Sequence, residues 1–485
     1  MNDTAIPPAP AAAISEADKN AIIIGVLVSM LLAALDQMIV APAMPTIAAA
    51  LGDAVYLPWI VTAYLITATA MAPLYGKFSD LYGRRIAIAT AIAIFLAGSL
   101  VSALAPSMLV LVIGRAVQGL GGGGLISLAQ TVIGDLVPPR ERARYMGWIS
   151  GTWATASVAG PVLGGYFAEH LHWSLIFWIN FPLGLLALVM MNGPLKKLAV
   201  PHRAHRMDIA GALLLIASTC LLMLALNWGG HAYAWLSGPI IGLFAGAALL
   251  GVLFGLRLVT AQEPLISLKA LGNPIVLVAA SASFVAQFGF VGVSVYLPIY
   301  LQQRFDLGAD TSGLSMMGLL LGTVVGASIA GRFMARITHY KRIAIIGCAC
   351  AAACFFILAM IAETASLRMV ILLTFFAGAG CGTLFPTLTI SVQNAVGLAH
   401  LGVATGVNVF LRSLGGAIGV AALGAIALAY GLPMAREGVA AAAGPVAFDV
   451  FRVMYATAAG GMLAALALVV VMEEKPLRGR SDRDA

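Results

Sequence analysis

The sequence predicts an all-α polytopic membrane protein of about fourteen transmembrane helices, arranged as two six-helix halves plus an inserted helix pair. Three observations lead there. Of 485 residues, 61% are hydrophobic and only 10% charged, with a mean hydropathy of +0.99, whereas a soluble domain carries roughly 25% charged residues. The apolar runs are helix-length, unlike the ten-residue alternating strands of a barrel. The basic residues gather in alternate loops, as orientation signals do.

In chain order, residues 1–20 form a polar, Pro/Ala-rich cytoplasmic tail, closer to a disordered segment than to a cleaved signal peptide. Residues 21–195 hold the first six spans, near Ala21–Ala43, Leu57–Tyr75, Ile86–Leu104, Leu109–Ile133, Met146–Ala168 and Leu175–Met191. Residues 196–272 are a basic linker and an inserted pair, near Ile209–Leu226 and Pro239–Val259. Residues 273–472 hold the second six, near Pro274–Leu297, Ser312–Ala330, Ile343–Ala362, Met369–Val392, Val403–Leu428 and Phe451–Met472. Residues 473–485 are a second cytoplasmic tail.

Loop charge tests this scheme. Loops assigned inside carry Lys77, Arg84, Arg85, Arg140, Arg142, Arg144, Lys196, Lys197, Arg203 and others; those assigned outside carry only Arg304, Arg368, Arg436 and Arg452. Both termini are therefore expected in the cytoplasm. The net charge of +7 reports orientation and lipid contact, and no nucleic-acid partner is expected. The five cysteines lie inside apolar segments, where they pack as small residues. No metal-type spacing, disulfide framework, histidine relay or nucleotide-binding loop is visible. No catalytic set is assigned, the chain is not expected to be an enzyme, and direct ATP drive is disfavoured.

The densest early charge cluster is Gly76-Lys77-Phe78-Ser79-Asp80-Leu81-Tyr82-Gly83-Arg84-Arg85, between two spans. Glycines let the helices and a tight turn pack closely, and Asp80 can pair with Arg84 or cap a helix. A plain topology signal is the simpler reading. A degenerate second copy, Gly331-Arg332 to Lys341-Arg342, stands at the same relative place in the later half. Asp36 is the one acidic residue well inside a span, and Arg115 shares its depth. Burial works against a charged carboxylate and a nearby guanidinium works for it, so the pair reads as a proton site or as a static lock between helices. Asp36→Asn keeps the shape and sheds a costly charge, so folding is expected to survive it. Gly160-Pro161 and Gly164-Gly165 give a kinked helix with a smooth face. Arg412 is the one charge within a span of the later half, and either meets an anionic substrate group or bonds nearby carbonyls. Trp59, Tyr64, Phe284, Phe288 and Phe290 could stack a flat or cationic ligand, or simply pack. Gln118, Asn180, Gln287 and Asn408 are candidates to line a cavity.

Gly-x-x-x-Asp-x-x-Gly-Arg-Arg resembles the cytoplasmic signature between the second and third helices of the major facilitator superfamily. Arg115-x-x-Gln118-Gly119 resembles its fourth-helix signature, linked there to proton transfer. Gly160-Pro161-x-x-Gly164-Gly165 resembles its antiporter signature. With the inserted pair, the chain resembles the fourteen-helix drug:proton antiporter family. Leu35-Asp36 and Trp173 to Gly184 fit that family's first-helix and sixth-helix motifs, although Met38 and Pro42 depart from the pattern. The resemblance implies the major facilitator fold and a multidrug efflux transporter of the bacterial inner membrane. It would use no cofactor, only the proton gradient. Asp36 and Arg115 would couple protons. Asp135 would join Asp80 and Arg84 in an inner gate, meeting only when that side closes. Partners would be a lipophilic, cationic substrate, protons, membrane lipids and a periplasmic adaptor protein. The alternatives are an exporter of a lipid or anionic metabolite, and a non-transporting receptor or scaffold.

Overall fold

A computed structural model of the chain describes residues 15–53, 56–197, 207–230, 232–307, 316–334, 336–337, 339–430 and 449–477. Part of the expected charge asymmetry lies outside them: Arg203, Arg206, Arg436, and the tail beyond 477. The described residues form fourteen long helices: α1 (Glu16–Leu51), α2 (Leu57–Tyr82), α3 (Arg84–Ala103), α4 (Met108–Leu136), α5 (Pro139–His170), α6 (Leu175–Lys197), α7 (Ile209–Trp228), α8 (Gly238–Thr260), α9 (Pro274–Phe305), α10 (Met317–Met334), α11 (Lys341–Ile361), α12 (Leu367–Ala395), α13 (Leu401–Ala429) and α14 (Asp449–Val471). Thirteen are long and apolar enough to cross a membrane. The other is α5, whose first turns carry Arg140, Glu141, Arg142 and Arg144 and dilute its hydropathy.

Most helices outrun the spans read from hydropathy, because backbone hydrogen bonding continues past the apolar stretch. The largest difference is α1. It was expected to end near Ala43 but runs through Pro42 and Pro45 to Leu51. Each proline removes one hydrogen bond, which a helix supported by neighbours tolerates. The helix ends where Gly52 takes φ +70° and its N–H returns to the Ala48 carbonyl. At about 1.5 Å per residue α1 is roughly 54 Å long, well beyond the ~30 Å hydrocarbon core. α6 is broken for one residue at Ile179, so Asn180 begins a fresh helical segment.

The two halves are legible in the cores. One apolar cluster runs from Ile275 to Met472, wholly within α9–α14 and their connections. Another, from Ile22 to Leu195, fills α1–α6 and also takes in Ala330, Met334, Tyr340 and Ile390 of the second half. The halves therefore meet at the end of the bundle marked by Gly83. The pair α7–α8 is tied together by Asp208, whose carboxylate caps Gly211 N and accepts from Arg257 Nε, each at 3.0 Å. It packs on α2 and α13 through Ala212, Leu215 and Leu258 against Leu74, Val403 and Val407. Asn227 donates to Thr62 at 3.0 Å, and Trp228 meets Trp59 edge-on.

Candidate functional site

Five helices converge on Asp36. It lies on α1, and Arg115 Nη1 donates to its Oδ2. Gln118 Nε2 donates to Oδ1 at 2.8 Å and Asn180 Nδ2 at 3.0 Å. Both amides also donate to Ser99 Oγ of α3, at 2.8 and 3.2 Å. Arg115 has four further partners: the Ile60 carbonyl at 2.9 Å, Gln118 Oε1 at 2.8 Å, and the Tyr64 and Phe177 rings, whose centroids lie 4.5 and 5.9 Å from its guanidinium carbon. Asp36 is 0% exposed and Arg115 1%. Glycine makes the approach possible. A Cβ on Gly98 would strike the Gln118 backbone, and one on Gly119 would meet the Tyr64 carbonyl.

This geometry corrects the expectation for three residues. Gln118, Asn180 and Tyr64 were candidates to contact substrate, but all are 0% exposed and are committed to Asp36 or Arg115. The sequence shows that they are polar or aromatic within a span. It does not show the helix rotation that turns them inward. Asn408 is likewise sealed, accepting from Ser283 Oγ at 2.9 Å and donating to Thr389 Oγ1 at 3.4 Å. Trp59 packs on α7, and Phe288 sits among α9, α13 and α14, against Gly419 and Gly461. Gln287 and Arg412 remain partly exposed on the second half.

The Gly83 turn is one residue long, with φ +86°, which only glycine adopts freely. It sets Arg84 between two acids: Nη1 to Asp80 Oδ1 and Nε to Asp135 Oδ2, both 2.5 Å. Arg85 Nε donates to Asn192 Oδ1 at 2.8 Å. All three members of the charged set belong to the first half, so closure of the inner side is not what brings them together. What crosses between halves is the Asp80 carboxylate. It accepts from Gly402 N at 3.0 Å and Val403 N at 2.9 Å, capping the first turn of α13. Gly76 lies against the Gly402 carbonyl with no room for a Cβ. In the sequence Arg142 reads only as a loop charge. It is 2% exposed, donates to Val137 O at 2.8 Å and to Gly134 O, and reaches Gln393 Oε1 at 3.4 Å. Gln393 Nε2 in turn donates to Gln130 O at 3.0 Å.

The Gly160-Pro161 stretch grips α1 beside Asp36. A Cβ on Gly160 would meet Met38 Cβ at 2.5 Å, and one on Gly164 would overlap the Ile39 carbonyl. The sequence leads one to expect both glycines of the Gly164-Gly165 pair on the smooth face against a helix, but a Cβ on Gly165 would meet nothing within 4 Å. The helical repeat turns consecutive residues about 100° apart, so only one can face α1. Gly164→Ala is therefore expected to lower stability by about 1–3 kcal/mol and impair transport. Gly165→Ala is expected to be within about 0.5 kcal/mol of wild type. Thermal melting of the two purified variants checks this; equal melting would mean α5 does not grip α1 through Gly164.

A family model described as the Major Facilitator Superfamily matches residues 26–420. The chain belongs to that superfamily. It is a transporter-family protein and not an enzyme. It is 33% identical over 413 residues to an uncharacterized MFS-type transporter of Mycobacterium tuberculosis, a match covering 85% of this chain and 60% of that relative's length. It is 33% identical over 412 residues to the multidrug transporter protein MdtP of Bacillus subtilis, covering 85% of this chain and 76% of the relative. The solved structure of the MFS proton:xylose symporter XylE superposes with a TM-score of 0.66 at 16% identity, covering 94% of this chain and 97% of that one. At that identity the superposition speaks for the fold alone.

Proposed function

We propose that this superfamily member exports lipophilic small molecules, cations among them, in exchange for protons by alternating access. The observation that carries the reading is the Asp36 cluster. A fully buried carboxylate in a membrane span is costly to keep. Here its neutralisation would leave Arg115 with the Ile60 carbonyl, Gln118 Oε1 and the Tyr64 ring. These contacts, made here beside the ion pair, would partly satisfy Arg115 when Asp36 is protonated, which supports a titrating site over a static lock. α5 grips α1 within two to three residues of Asp36, so a change there can move the antiporter-like helix.

The description of MdtP as a multidrug transporter supports the export reading. Location in a bacterial inner membrane is what the family resemblance implies, and a cytoplasmic Gly83 end follows the basic-residue asymmetry. The inter-half contacts at that end then correspond to a closed cytoplasmic side. The proton gradient is the energy source, no cofactor is used, and a periplasmic adaptor is not required for the substrate to leave by the outer face. The test uses ethidium in everted membrane vesicles. Ethidium uptake should follow an imposed proton gradient and collapse when a protonophore is added. Uptake that ignores the protonophore would sink proton coupling, and absence of uptake for ethidium and every compound of a lipophilic panel would favour the receptor or scaffold reading.

A further inference from the structure

The second half holds a cation that the first half's cluster does not use. Arg412 lies on α13, roughly 16 Å from its start at Leu401 at about 1.5 Å per residue. Its guanidinium carbon is 6.0 Å from the centroid of the Phe385 ring on α12. One turn further on, a Cβ at Gly416 would rest 3.4 Å from Gln287 Cγ on α9. Arg412 is therefore on the face of α13 turned toward α9 and α12, away from lipid. Among the described residues it has no ion pair and no hydrogen-bond partner. Nearby, Gln287 Oε1 is a buried acceptor without a partner. Phe385 also meets Phe290 edge-on at 6.0 Å, so an aromatic wall runs beside the two polar groups.

An intramembrane guanidinium is expensive unless paired, and Arg115 in this same protein shows what full satisfaction looks like. Arg412 has no such partner, yet it is partly exposed on an inward-turned face. No described residue supplies the missing partner, and a bound molecule can. A guanidinium matches a carboxylate bidentately, and an unpaired amide oxygen on the facing helix α9 can accept from an N–H or O–H on the same molecule. The Phe385–Phe290 wall suits a flat apolar body.

We propose that Arg412, Gln287 and Phe385 form a recognition site for the carboxylate of an amphipathic organic anion or zwitterion. This rests on the export reading above and names a substrate class for it, distinct from cations. Among the described residues the side chain bonds no backbone carbonyl, the other role open to Arg412 from sequence.

The test is fluorescence anisotropy of pyrenebutyrate and its methyl ester with the full-length protein in phosphatidylcholine nanodiscs. Wild type should bind the carboxylate about tenfold or more tighter than the ester. Arg412→Gln should bring the carboxylate down to the ester's affinity while leaving ester binding within about twofold. Arg412→Lys, which keeps the charge but loses the fork, should fall between. Ester binding by each variant reports that it is folded. Equal affinity of wild type for acid and ester, or an unchanged preference in Arg412→Gln, overturns the assignment. Phosphatidylglycerol that abolishes pyrenebutyrate binding would assign Arg412 to a lipid headgroup and also overturn it. Gradient-driven ethidium uptake reads the export proposal separately. Its failure beside intact Arg412-dependent binding would sink export alone, and lost acid selectivity beside intact ethidium uptake would sink this site alone.

Discussion

Asp36→Asn is expected to abolish gradient-driven ethidium uptake, at least a hundredfold below wild type, because a residue that cannot titrate cannot carry the coupled proton. The structure also changes what the substitution should do to stability. Removing one partner of a buried pair strands the other, and Arg115 would keep a desolvated charge at a penalty of about 3–5 kcal/mol. Its remaining contacts to Ile60, Gln118 and Tyr64 offset part of this. The expected result is a folded protein, as the sequence alone predicts, but one of lowered melting temperature. Asp36→Asn combined with Arg115→Gln should recover melting temperature without recovering transport. That split separates coupling from scaffolding. If Asp36→Asn releases protons from purified protein on drug addition as wild type does, coupling lies elsewhere and the pair is a static lock.

The second large effect is expected at Asp80. Its carboxylate caps α13 from the opposite half at 2.9 and 3.0 Å while pairing with Arg84. A side-chain cap is worth about 0.5–2 kcal/mol, and a negative charge at a helix start adds a similar amount. Asp80→Ala should therefore shift the balance between conformations roughly tenfold or more toward opening at the Gly83 end, since 1.4 kcal/mol is about a factor of ten. Spin labels at Glu141 and Arg332, on the facing helices α5 and α10, would report it as a new longer distance. An unchanged distance distribution would mean that Gly76, Arg142 and Gln393 hold that end without the cap.

Much of this was legible beforehand. Helix positions followed from apolar run length, and the depth match of Asp36 and Arg115 from counting residues at a fixed rise. The shortness of the Gly83 turn was visible because glycine alone tolerates that backbone. What was hidden depends on rotation about a helix axis and on contacts far apart in the chain. Gln118 and Asn180 read as cavity residues because a polar side chain in a span must go somewhere, and only the packed bundle shows that both turn to Asp36. Arg142 looked like an orientation signal until Gly134, Val137 and Gln393 closed around it. The Asp80 cap joins residues more than three hundred positions apart, which no local pattern announces.

The inserted pair has a consequence of its own. By resting on α2 and α13 it covers one of the two lines along which the halves touch, with Trp228 against Trp59 near one end and Leu215 among Leu74 and Val403 nearer the other. The opposite line, where α5 meets α10 and Gly147 approaches Ser328, has no such cover from the inserted pair. The bilayer is thus screened from one flank of the molecule and touches the other. Under the alternating-access reading proposed above, the halves would rock against protein on one flank and against hydrocarbon on the other.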